Sequence, residues 1–138
     1  MKRLVAQVPS RPYEVLVGRG CLAQLGDALR DLGVCREAVV CCDANVAPLY
    51  LEAVREAAAR AGCRVSQIVV PAGERQKSLA RAEELYGVLY ERGLRRNDTA
   101  IALGGGVVGD LFGFVAATYL RGVRLVQVQP EDDLGALI

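Results

Sequence analysis

Histidine is missing altogether from this 138-residue chain, and lysine occurs only at Lys2 and Lys77. Without imidazole the chain lacks the commonest side chain for holding a metal or moving a proton near neutral pH. Lys77 is the single interior lysine, which reflects either a bias toward arginine or a specific task for that ammonium. The five cysteines, Cys21, Cys35, Cys41, Cys42 and Cys63, make no C-x-x-C pair of the zinc or redox kind. They read as reduced, mostly buried thiols of a cytoplasmic protein.

An excess of charge is missing too, because 17 lysines and arginines face 16 aspartates and glutamates. That balance speaks against a general nucleic-acid or anionic-membrane partner, so any anion site must be local. No long apolar run occurs either. Met1-Lys-Arg opens onto a stretch too short for a secretory signal, and the longest uncharged segment is broken by glycines and Asp110. The expectation is a soluble, cytoplasmic protein that meets neither nucleic acid nor membrane. What is abundant is hydrophobic residues, at 52%. That is high for a lone domain, and it points to fully buried strands or to a surface meant for a partner.

Taken in order, residues 3–8 and 13–17 are short β-branched runs separated by Pro9-Ser-Arg-Pro12, which predicts two strands joined by a turn. Leu22, Leu25, Leu29 and Leu32 recur at helical spacing up to Gly33. Glu37 to Cys42 is an apolar run of strand length that ends in the corner Asp43-Ala-Asn-Val46, and a helix over 47–61 carries Pro48 in its first turn. A strand over 64–70 leads into Pro71-Ala-Gly-Glu-Arg-Gln-Lys77, followed by a helix over 78–92 that Gly93 closes. Thr99 to Leu103 is the next strand. Strands alternating with helices imply an α/β fold of Rossmann-like type: a doubly wound, mostly parallel sheet with helices on both faces. Ligands of such folds lie beyond the carboxyl ends of the strands, where three polar or glycine corners fall: 43–45, 73–77 and 104–110.

Gly104, Gly106 and Gly109 satisfy G-x-G-x-x-G between a buried strand and a helix-capable segment, the context in which that pattern holds a pyrophosphate. The motif lies late in the chain, whereas an ordinary dinucleotide fold carries it after its first strand with an acidic residue ~20 positions on. A tight turn without a ligand is the plain alternative. Asp43 and Asn45 suit ribose hydroxyls, but Asp and Asn are also common helix caps, and capping is the more ordinary use. Glu74 and Lys77 suit a polar clamp on a nucleotide and also a solvated ion pair.

Beyond these local readings, Ala102-Leu-Gly-Gly-Gly-Val-Val-Gly-Asp-Leu-Phe-Gly-Phe-Val-Ala-Ala-Thr-Tyr-Leu-Arg-Gly122 resembles the signature stretch of the 3-dehydroquinate synthases. Gly73-Glu-Arg-Gln-Lys77 and Asp43-Ala-Asn-Val46 are similar to that family's other nucleotide corners in order and spacing. The resemblance runs to about Val128, extends less specifically to other sugar-phosphate cyclases, and reaches distantly to glycerol dehydrogenase-like enzymes. It implies an NAD-binding domain over 1–128 from a carbon–oxygen lyase of the shikimate pathway. Such an enzyme uses NAD and a divalent metal, zinc or cobalt, to eliminate phosphate from a seven-carbon keto-acid sugar phosphate and cyclise it. The resemblance further implies that Asp43, Asn45, Gly73, Glu74, Lys77, Gly104, Gly105, Gly106, Val107, Val108 and Gly109 surround the nucleotide and its diphosphate. Asp110 is implied near the nicotinamide ribose, and Arg121 on the substrate phosphate across a homodimer contact.

The pattern departs after Gln127-Val128, where the family continues with a proline, two threonines, an aspartate and lysines, and this chain reads Gln129-Pro-Glu-Asp-Asp-Leu-Gly-Ala-Leu-Ile138. Residues 129–138 are expected to be a divergent tail, with Glu131-Asp-Asp133 solvated. The family's metal ligands, a glutamate and two histidines, have no counterpart in a chain without histidine. The expectation is therefore a natural truncation or a fragment that binds nucleotide at most and is catalytically incomplete alone. The alternatives are another sugar-phosphate cyclase or glycerol dehydrogenase-like NAD domain, and a non-catalytic remnant that acts through self-association.

Overall fold

A computed structural model describes residues 2–6, 13–19, 24–31, 33, 36–129 and 134–137. The turn expected at Pro9 to Pro12, Leu22, Leu32, Cys21, Cys35 and the acidic run 131–133 lie outside them. Seven strands form one sheet: β1 (Lys2–Ala6), β2 (Tyr13–Arg19), β3 (Glu37–Asp43), β4 (Arg64–Val70), β5 (Thr99–Leu103), β6 (Arg124–Val128) and β7 (Leu134–Leu137). Four α-helices accompany them: α1 (Leu25–Asp31), α2 (Glu52–Arg60), α3 (Leu79–Glu91) and α4 (Gly106–Thr118).

Across the sheet the strands run β1-β2-β7-β6-β5-β3-β4. The block β6-β5-β3-β4 is parallel, whereas β1 with β2, β2 with β7 and β6 with β7 are antiparallel. The mostly parallel α/β architecture expected from the alternation of strands and helices is thus present, with an antiparallel extension at one edge. Leu134–Leu137, within the segment expected as a divergent tail, adds to the sheet between β2 and β6. A four-residue apolar stretch with backbone groups to pair finds its partners only in a sheet edge built far away in sequence.

The inner strands β3 and β5 are continuous in hydrophobicity because both their faces are covered, whereas the edge strand β4 fully buries only Val70. Every residue of β5 is buried, as are Glu37 to Cys42 of β3. Alternation then sorts these side chains between two cores. Ala38, Val40, Cys42, Ile101 and Leu103 pack with α1 and α2, while Val39, Cys41, Ala100 and Ala102 pack with α3 and α4. Cys41 and Cys42 are free thiols, one in each core. Cys63 is disulfide-bonded, which corrects the reading of all five cysteines as reduced.

At the opposite end from the corners, the amino ends of β3, β4 and β5 are tied by charge. Arg36 donates to the buried carboxylate of Asp98 at 2.6 Å and to the Gly93 carbonyl at 3.1 Å, and Asp98 also accepts the Arg95 backbone N–H at 2.7 Å. Glu37 lies 3.6 Å from Arg36 and 3.3 Å from Arg64. Buried carboxylates need such partners, because an unpaired charge out of water is strongly unfavourable.

Candidate functional site

From β3 the chain crosses to β4 on one side and then returns past β3 to reach β5 on the other. The topological switch point therefore lies between β3 and β5, where a crevice opens beyond the strand ends. Cys41 faces Ala102 in the register, so Asp43 and Gly104 end their strands at the same level. Two of the three corners meet there, and the side chain of Val46 stands 3.7 Å from the position a Cβ on Gly104 would take.

Each corner has its own chemistry. At the first, Asp43 Oδ1 accepts the backbone N–H groups of Asn45 at 2.8 Å and Val46 at 2.9 Å. Asp43 thereby closes a side-chain-to-backbone turn at the strand end, while the helix that follows is N-capped at Val46 with no side-chain hydrogen bond. Past it the chain enters a π-helical turn, Ala47–Leu51, before α2, with Pro48 where a missing N–H does no harm. At the second corner Gly73, with φ of 119°, starts the 3-10 turn Glu74–Gln76, and Ser78 then caps α3 by accepting the Arg81 backbone N–H at 3.1 Å. Gln76 Oε1 is shielded from solvent and has no hydrogen-bond partner among the described residues, so an acceptor is available here.

The third corner is the glycine turn. Gly104 has φ of 139°, a conformation that a side chain would strain, and its N–H is tied to the Val128 carbonyl at 2.9 Å. Gly105 caps α4 without any side-chain hydrogen bond, and the first N–H groups of the helix have no partner within it. A Cβ built on Gly105 or Gly106 would meet no protein atom within 4 Å. Gly109 serves packing instead: its Cβ would lie 3.4 Å from Gln127 Oε1 on β6, so α4 lies close on the sheet. The turn is a cradle of bare backbone at the positive end of a helix, suited to a diphosphate.

Lys77 joins the second and third corners. Its Nζ donates to Asp110 Oδ2 at 3.0 Å and lies 3.3 Å from Glu74 Oε1. The hydrogen bond to Asp110, then that to Glu74, pushes the ammonium above its ordinary pKa, so it stays charged at any physiological pH. An open groove of about 250 Å³ runs from Lys77 and Asp110 over Ala82 and Leu111 to the exposed Leu79 and Phe114.

Asp43, Asn45, Gly73, Glu74, Lys77 and 104–110 thus all belong to corners at one edge of the sheet. Arg121 does not. It follows α4, whose 13 residues span about 20 Å away from the glycine turn. Ser78, Gln127 and Val46 shape the corners rather than line them, and the sequence assigned none of them a site role. Ser78 alone carried a signal, since a serine before an apolar periodic segment is a cap.

Residues 67–131 match the family model described as 3-dehydroquinate synthase N-terminal. The 3-dehydroquinate synthase of Symbiobacterium thermophilum is 54% identical over 117 residues, which cover 84% of this chain and 33% of that protein. The chain matches the N-terminal part of the 3-dehydroquinate synthase family. It spans about a third of the length of the curated relatives it resembles. Among solved structures, 2-deoxy-scyllo-inosose synthase superposes with a TM-score of 0.81 at 19% identity, over 93% of this chain and 36% of that one. A 2-epi-5-epi-valiolone synthase from Streptomyces hygroscopicus, solved with NAD+ and Zn2+ bound, gives 0.71 at 29% identity over 90% and 34%. The 3-dehydroquinate synthase resemblance read from residues 102–122 is thereby supported by an independent sequence match over most of the chain.

Proposed function

We propose that this chain forms the NAD-binding part of a cytoplasmic 3-dehydroquinate synthase, a lyase that eliminates phosphate from a keto-acid sugar phosphate and cyclises the product. The observation that carries the reading is the pairing of an open glycine cradle, 104–106, with Lys77 and Asp110 beside it. Bound there, NAD supplies the reversible oxidation of a substrate carbinol. The chain's own residues do the rest of the holding. The N–H groups that begin α4 receive the diphosphate, Lys77 offers it an ammonium, and Asp43 and Asn45 offer hydrogen bonds to ribose hydroxyls. Asp110, already fixed by Lys77, is set to orient the nicotinamide ribose.

A metal does not fit this chain in the same way. It contains no histidine, and no group of three His, Cys, Asp or Glu among the described residues could hold an ion. The elimination step therefore draws on ligands from elsewhere, and these 138 residues bind nucleotide without turnover. Arg121, about 20 Å along α4 from its own glycine turn, is read as a ligand for the substrate phosphate in a second copy of the chain. The exposed Phe114, Leu120 and Tyr90 near it favour a homodimer contact.

Calorimetric titration with NAD tests the core of this reading. Binding that is lost in Lys77→Ala is expected; heat absent at millimolar NAD in the unaltered chain would overturn it. The other reading, a remnant acting only through self-association, is favoured by the same exposed apolar residues, and it predicts association without nucleotide binding.

A further inference from the structure

Leu120, with φ of 49°, and Arg121, with φ of 65°, are the two non-glycine residues at positive φ among the described residues. A side chain in that region persists only when its surroundings over-determine it. Neither residue secures itself, since both side chains are exposed. The backbone supplies part of the restraint: the Gly122 N–H donates to the Tyr119 carbonyl and the Val123 N–H to the Ala116 carbonyl, both at 2.8 Å.

The remainder converges on one residue of a different helix. Thr118 donates its hydroxyl hydrogen to the Phe114 carbonyl at 2.8 Å, so its oxygen is left as an acceptor. Tyr86 of α3 lies 2.5 Å from that oxygen and is therefore the donor. The Tyr86 ring also stacks on Tyr119, with centroids 6.5 Å apart and planes 14° from parallel. The two residues directly before the strained pair are thus both gripped by Tyr86.

We propose that Tyr86 is a positioning residue: its hydroxyl and ring lock the left-handed turn 120–121, and so fix the direction in which Arg121 presents its guanidinium to a phosphate. The function assigned to Arg121 rests on the reading given above; the lock itself does not. Tyr86→Phe removes the hydroxyl and keeps the ring, while Thr118→Val removes the acceptor and keeps the shape. In the 138-residue protein, amide hydrogen exchange at Gly122 and Val123 should accelerate on the order of tenfold in each. Amides from Leu111 to Val115 should be unaffected, and Thr118→Ser should restore the slow rates. Unchanged exchange at Gly122 and Val123, or acceleration spread evenly over α4, would overturn the lock. A second measurement follows the Arg121 side-chain signal by nuclear magnetic resonance during titration with inorganic phosphate in the presence of NAD. Weaker phosphate binding in Tyr86→Phe, recovered in Thr118→Ser relative to Thr118→Val, supports the positioning role. An Arg121 signal that ignores phosphate in the unaltered protein overturns the phosphate assignment and the functional half of the proposal, whatever the exchange rates show.

Discussion

Single residues in this chain separate folding from binding with unusual clarity. Gly106 is helical, and a Cβ placed on it meets no protein atom. Gly106→Ala, at the first position of α4, should therefore leave the fold at least as stable, with a gain of at most about 0.5 kcal/mol, the lower end of the mid-helix gain of alanine over glycine. The same methyl would stand in the cradle assigned to the diphosphate, so NAD affinity should fall while the melting temperature holds or rises. Gly104→Ala should do the reverse of a neutral change: at φ of 139° a side chain is strained by about 1–3 kcal/mol, and denaturant unfolding would read that loss. The thiols make a pH prediction. Burial, and then the neighbouring Cys42, pushes Cys41 from 9.0 up to about 12; burial, and then Asp43, pushes Cys42 up to about 11. In the unfolded chain these thiols ionise near pH 9, while the folded protein holds their protons, so the stability they support is complete below pH 9. It should decline as pH rises toward 11 and 12. The urea midpoint should fall between pH 8.5 and pH 10.5 on that basis, and less so in Cys41→Ala.

At the scale of elements, helix starts matter most, because two of the three corners are the entries to α3 and α4. Ser78 accepts the Arg81 N–H and stands next to Lys77. Ser78→Ala should lower stability by about 1 kcal/mol, measurable by chemical denaturation, and should weaken NAD binding as well, because the turn bearing Lys77 loses its anchor. An alteration in the middle of the exposed face of α3 should leave nucleotide binding alone. The length of α4 has a functional meaning too. Its 13 residues span about 20 Å between the glycine turn and the turn that bears Arg121, which is the separation on which the proposed second-copy role of Arg121 rests.

At the scale of the whole molecule, the covered strands β3 and β5 carry the proposed nucleotide corners at their carboxyl ends. Purified protein supplied with substrate, NAD and zinc or cobalt should release no phosphate above background, since the chain offers no histidine to a metal. Clear turnover would show that other residues complete the site. If Arg121 serves a second copy, light scattering should report a dimer, and Arg121→Glu should abolish any phosphate effect while leaving calorimetric NAD binding intact.

Much of this is legible in the amino-acid sequence. The strands Arg64–Val70 and Thr99–Leu103 and the helices that follow them appear at their expected places: Thr99–Leu103 because a strand covered on both faces needs a continuous apolar run, and Arg64–Val70, an edge strand, because a β-branched run bounded by glycine and polar corners is itself a strand signal. The glycine turn was readable because bare backbone at a helix start leaves a local spacing pattern. The sequence by itself thus determined the elements, the three corners and the absence of a histidine-based metal site, since each depends on residues near one another in the chain or on composition alone. Only the tertiary structure decided how those parts combine. It placed Leu134–Leu137 in the sheet, joined Lys77 to Asp110 across 33 residues, folded the chain after Asp43 back onto its carboxylate and set Tyr86 against Thr118. Contacts of that kind are fixed by strand order and by helices packing side by side, and nothing periodic in the sequence records which distant residues will meet.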